Sequence, residues 1–106
     1  MMYIMPAFSL HAESISFEGD FVFQTVSLAW LKLKNLITLL KADESEFISI
    51  DLKEVAQVDS TCLALLLALA REAALQGKSL HFSHIPDKML ALADVSGVAK
   101  VLFGDA

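Results

Sequence analysis

Apolar residues fall along this chain in two rhythms. Short runs of period two, or of unbroken β-favouring residues, mark strands at Ala7–Leu10, Ser14–Phe17, Phe47–Ile50 and Ser79–Ser83. In the second of these Ile15 and Phe17 alternate with serines, and in the last Leu80 and Phe82 alternate with polar residues. Between the runs lie stretches of helical spacing. From about Thr25 to Leu40, Val26, Ala29, Trp30, Leu33, Leu36, Ile37 and Leu40 recur at i, i+3, i+4, i+7 and make one apolar face, with Lys32, Lys34 and Asn35 opposite. Trp30 sits mid-stripe and reads as a core residue. Cys62 to Gln76 holds no Pro or Gly, and Gly77 supplies a C-cap. Pro86 opens a short helix from Asp87 to about Asp94, since its missing N–H would be unsatisfied there in any case. Gly19–Asp20 reads as a turn, Asp51 as the end of the Phe47 strand, and Lys41–Glu46 as a charged loop. Val98–Phe103 is a closing apolar segment whose type the pattern leaves open.

The order is β-β-α-β-α-β-α plus a tail. Strands alternating with helices predict an α/β fold with a mostly parallel sheet of four to five strands and helices packed on it. The 106 residues suit a single domain, 1–106, with a core of about 7–103.

Composition narrows the function classes. The chain is 56% hydrophobic, with a mean hydropathy of +0.58, high for a chain with no apolar run near the ~20 residues a membrane span needs. The excess must be buried or must face a partner. The N-terminus MMYIMPAFSL lacks the positive region of a secretory signal, so the chain is expected to be cytoplasmic, without direct membrane insertion. A net charge of −5 disfavours nucleic acid, whose binding rests on Lys and Arg. One cysteine, Cys62, excludes an intrachain disulfide and fits a reducing compartment.

The stretch Phe47–Ala74 gathers the candidate chemistry. Asp59, Ser60 and Thr61 are natural N-caps, because a short side-chain oxygen accepts from the free N–H groups of a first helical turn. They bring two hydroxyls to a helix start. Along that helix Leu63, Leu66, Leu67, Ala70 and Ala74 share a face that would dock on the sheet. Cys62, Leu65 and Leu69 form a second stripe, covered either by another helix of the same domain or by another protein. The second reading makes Leu65 and Leu69 an exposed docking surface.

VDSTCLALLLALAREAALQGKSLHFSHIPDKMLALADVSGV, Val58 to Val98, resembles a STAS domain, the module of anti-sigma-factor antagonists and sulfate-transporter tails. It is most similar to the MlaB type, the STAS subunit of the Mla phospholipid-transport ATPase. There V-D-hydroxyl-x-x-L-A-L-L-L leads into a helix, then Q-G and a strand. Upstream, IDLKEV (Ile50–Val55), Gly19–Asp20 and Trp30 also fit, so the likeness spans most of the chain after about Ser14. Many STAS domains carry Gly after the hydroxyl pair; here Cys62 stands in that place.

The resemblance implies a non-catalytic cytoplasmic subunit, peripheral to the inner membrane through its partner, the ABC ATPase of a lipid transporter. It implies partner contacts from Asp59, Ser60, Thr61, Cys62, Leu65 and Leu69, with Ser60 and Thr61 as regulatory hydroxyls or phosphate acceptors. The alternative it implies is an anti-sigma-factor antagonist switched by phosphorylation, with a kinase as partner. Catalysis has little support in the residues. The pattern G-x-S-x-G is missing, so a hydrolase of Ser60 with His84 ranks last. His81 and His84 lack Cys or carboxylate partners at metal-ligand spacing. The four glycines are scattered, so neither a nucleotide nor any other cofactor is expected. Asp43, Glu44 and Glu46 read as a solvated loop, and Cys62 as a packed, inert thiol.

Overall fold

The computed structural model describes residues 2–11, 14–40 and 47–104, with residues 36–40 described by backbone alone. The charged loop expected at Lys41–Glu46 lies outside the described residues. Four strands form one sheet in the order β1 (Ala7–His11), β2 (Ser14–Phe21), β3 (Phe47–Val58), β4 (Ser79–Ser83). β1 runs antiparallel to β2; β2, β3 and β4 run parallel. The helices are α1 (Val26–Leu40), α2 (Ser60–Leu75), α3 (Asp87–Val95) and α4 (Ala99–Phe103). This is the α/β architecture that the alternation of strands and helices predicts, with the open-ended tail resolved as a short helix.

Two strands run further than their apolar patterns suggest. β3 continues through Asp51 to Val58 because β2 stays paired beside it, Glu18 opposite Glu54 and Phe21 opposite Val58. Ile48, Ile50 and Leu52 point inward while Lys53 and Glu54 face solvent, so charge on the outer positions does not end the ladder. β2 likewise passes through Gly19–Asp20, which is a bulge and not a turn: the register with β3 shifts there. Gly19 sits at φ +95°, and a Cβ on it would lie 2.5 Å from the Met5 carbonyl oxygen. Only glycine permits that backbone angle together with so close a passage of the N-terminal segment. Asp20 holds the segment, donating its N–H to Ile4 O (2.9 Å) and accepting the Ile4 N–H at Oδ2 (2.8 Å).

The sheet has one dry and one wet face. Ile15, Phe17, Ile48, Ile50 and Leu52 meet Ala29 and Leu33 of α1, Met89 and Ala93 of α3 and the leucines of α2 in one core. The other parity gives two registered polar rows, His11–Ser14–Ser49–His81 and Ser9–Ser16–Asp51–Ser83. α2 is the hub of the helical layer, touching α1, α3, α4 and β4. Its C-terminus is a Schellman turn: Gln76 is the C-cap, Gly77 follows at φ +75°, and the Lys78 N–H returns to Ala73 O (2.9 Å).

Candidate functional site

The N-terminus of α2 is built around Asp59. Its backbone is extended and its side chain caps the helix, Oδ1 accepting the Thr61 N–H (2.9 Å) and the Thr61 hydroxyl. Oδ2 reaches across to accept the Phe23 N–H (2.9 Å), 36 positions away on the turn before α1. Partial burial opposes ionisation of Asp59. The hydrogen bonds from the Thr61 hydroxyl and from the N–H groups of Phe23, Thr61 and Cys62 outweigh it and hold the carboxyl below the usual range. Thr61 is half-buried and engaged as a donor, whereas Ser60 is exposed beside it. The two hydroxyls therefore stand at the same helix end in different states.

The leucines lie elsewhere than expected. Leu65 is 4% and Leu69 0% exposed, so neither forms an uncovered docking surface. The deepest stripe of α2 is Cys62, Leu65, Leu66, Leu69 and Ala73, whose spacing of 0, +3, +4, +7, +11 is that of a core-facing stripe. Of the face expected to dock on the sheet, Leu63 and Leu66 are buried, Leu67 and Ala70 are half-buried, and Ala74 is exposed. Two stripes that share so many leucines differ little in hydrophobicity; the position of α1 alongside α2 decides between them. Cys62 is buried, and burial first, then the nearby Asp59 charge, pushes its thiol up to about 12. It is a packed, unreactive thiol at neutral pH.

What remains open is a groove between α1 and α2, of about 690 Å³. Phe23, Gln24, Val26, Ser27 and Trp30 line one wall, and Thr61, Ala64 and Ala68 the other, with the edge of Leu65 also lining it. Phe23 is 74% exposed. Trp30 is half-buried, packed against the core by one side and turned to the groove by another, with the Lys34 ammonium 5.9 Å from its ring centre. Thr61 thus joins the capped helix end to an apolar concavity. Phe23, Trp30, Ala64 and Ala68 were not singled out as site residues by the sequence. Ala64 and Ala68 do carry a signal, being small residues at i, i+4 next to the hydroxyl pair; Phe23 carries none, since it belongs to no helical stripe.

The other chemistry-bearing residues lie apart. His84, at φ +53°, places Nδ1 3.0 Å from Asp51 Oδ1. The Asp51 carboxyl is held low chiefly by the Lys53 N–H, against some desolvation, with help from His84. At ~3.3 Å per strand residue, Asp51 lies roughly 23 Å from the Val58 end of β3, beyond which α2 starts, so His84 cannot serve Ser60. His81 packs edge-on against Phe47, ring centres 4.9 Å apart. Among the described residues no group of three metal-ligating side chains occurs, and no helix is long and apolar enough to cross a membrane.

A family model described as "Mlab, STAS domain" matches residues 7–103. Two solved structures share the fold. The Bacillus cell fate determinant SpoIIAA in its phosphorylated form is 19% identical, with a TM-score of 0.62 over 94% of this chain and 91% of that one. The anti-sigma factor antagonist SpoIIAA in its unphosphorylated form is 14% identical, with a TM-score of 0.70 over 95% and 87%. No curated protein matches the chain.

Proposed function

The chain belongs to the STAS domain family of the MlaB type, and on that premise we propose that it is the non-catalytic STAS subunit of a bacterial Mla-type phospholipid transporter. In this reading it binds and supports or regulates the transporter's ABC ATPase, working at the cytoplasmic side of the inner membrane without entering the bilayer. The observation that carries the reading is the apolar groove beside Thr61, walled by Phe23 on the turn before α1 and Trp30 on α1, and by Ala64 and Ala68 on α2. Aromatic residues are the commonest anchors of protein interfaces, and small residues on a facing helix let a partner backbone approach closely. Leu65 and Leu69 act from beneath, fixing the wall that bears Ala64 and Ala68.

Thr61 lines the groove, and Ser60 stands exposed next to it in the chain. A phosphate on either would bring roughly −1.5 to −2 charges to the contact. Thr61→Glu or Ser60→Glu is therefore expected to weaken assembly without unfolding the domain. Purification of the tagged chain from its native cells tests the reading: an ABC ATPase is recovered with the wild type and less of it with either variant. Equal recovery with wild type and variants contradicts it.

A second reading, an anti-sigma-factor antagonist switched at Thr61, draws on the fold shared with SpoIIAA. It requires a kinase that modifies Thr61 or Ser60. Mass spectrometry after incubation with cell extract and ATP separates the two, an added phosphate on either residue favouring the switch.

A further inference from the structure

Phe23 is exposed, yet its position is fixed from two directions. From within its own turn, Thr25 accepts the Val22 N–H at Oγ1 (3.1 Å) and donates its hydroxyl to Asp20 O (2.6 Å), while the Thr25 and Val26 N–H groups return to Val22 O (2.9 and 3.0 Å). From the start of α2, Asp59 Oδ2 accepts the Phe23 N–H. The other oxygen of the same carboxylate takes both the N–H and the hydroxyl of Thr61. Phe23 and Thr61 stand on opposite walls of the groove. One carboxylate therefore ties the two walls together through Phe23 and Thr61.

We propose that Asp59 is a positioning residue for partner binding: it clasps the Phe23 turn to the first turn of α2, so that the aromatic edge of the groove is set before anything binds. This rests on the reading that the groove receives a protein segment. Asp59 need not touch that segment. Its two oxygens are already occupied by Phe23 and Thr61, and its effect is to remove the ordering cost that a loose Phe23 turn would otherwise add on binding. Charge-assisted bonds suit the task, because a carboxylate accepting backbone N–H groups makes stronger bonds than a neutral acceptor. The Thr61 hydroxyl shares the carboxylate, so its chemical state acts on the clasp as well as on the groove.

Asp59→Ser separates the clasp from the cap. Serine is as good an N-cap as aspartate, but its single short hydroxyl cannot cap α2 and also reach Phe23. The test uses the whole chain, measuring amide hydrogen exchange at Phe23, fluorescence of Trp30 and affinity for the ATPase subunit. In Asp59→Ser the Phe23 amide is expected to exchange at least tenfold faster and Trp30 emission to shift. The Cys62 and Ile50 amides should stay protected, the unfolding midpoint should fall only by the modest amount that the lost carboxylate bonds contribute, and affinity should fall at least tenfold. Unchanged exchange at Phe23 overturns the clasp. Faster exchange with undiminished affinity overturns the positioning role. If the wild type does not bind the ATPase subunit, the partner reading fails separately. The exchange and emission arms need no partner: freed Phe23 with shifted Trp30 emission upholds the clasp, and an unmoved Phe23 defeats it.

Discussion

The open face of the sheet and the α1–α2 groove both meet solvent, but they are made differently. The open face presents serines and histidines in registered rows, with Asp51 paired to His84 and the Ser9 hydroxyl bonded to Glu18 (3.3 Å). Such a surface is mostly polar and stable in water, and its large exposed apolar side chain, Phe47, packs against His81. The groove presents Phe23, Trp30, Ala64 and Ala68, whose exposure to water is unfavourable by about 25 cal/mol per Å² of apolar area. The chain's hydrophobic surplus is thus disposed of in three ways: Leu63, Leu65, Leu66 and Leu69 of α2 go inward, residues such as Leu31, Leu75, Val95 and Val101 stand exposed at scattered positions, and Phe23 and Trp30 are gathered with Ala64 and Ala68 at one groove beside a helix end. A surface of that kind, next to a pair of hydroxyls, is where a partner gains most by binding.

The contrast can be attacked at points of decreasing effect. Leu69→Ala removes a wholly buried side chain from the stripe that holds α2 in place. It is expected to destabilise the fold by about 2–5 kcal/mol, read from urea unfolding; a loss well under 1 kcal/mol would place Leu69 at the surface after all. Phe23→Ala removes an exposed ring, so stability should change by no more than about 0.5 kcal/mol. Partner affinity should fall by about 2 kcal/mol or more if Phe23 is an anchor of the groove, measured by titration calorimetry.

A smaller effect concerns pH. The native Asp59 carboxyl titrates below its unfolded reference of 3.8, so its stabilising contribution is complete above that value and is lost as pH falls through the lower native one. The stability gap between wild type and Asp59→Asn should stay constant from neutral pH to about pH 5, then close on further acidification. A gap that closes between pH 7 and 5 would contradict the hydrogen-bonded, depressed state of Asp59.

Much of this fold can be read in the residue pattern. The strands at Ala7 and Ser79, the helices at Val26, Ser60 and Asp87, and the mostly parallel sheet all follow from periodicity. What periodicity misreads is local and has a cause in each case. Gly19–Asp20 looks like a turn because a bulge under a crossing segment needs the same glycine. Asp51 looks like a strand end because a sheet with one wet face accepts a carboxylate on that face. The site is only half legible. Asp59, Ser60 and Thr61 are visible as a cap, and the structure brings them together at the start of α2. The outward face of α2 is not visible, because a helix with leucines on most sides does not declare which of them α1 will cover. Nor can the bond from Asp59 to Phe23 be foreseen, since it joins residues 36 positions apart through backbone.

The central claim is that a partner binds at the α1–α2 groove and not at the open face of the sheet. It is tested most directly by measuring the affinity of the purified chain for the ABC ATPase subunit with one bulky cation placed on each surface, Ala64→Arg in the groove and Ser49→Arg on the open face. Both positions are exposed, so both variants should fold as the wild type does. The account predicts at least a tenfold loss, about 1.4 kcal/mol, for Ala64→Arg and none for Ser49→Arg. Undiminished binding by Ala64→Arg, or a loss confined to Ser49→Arg, would contradict it.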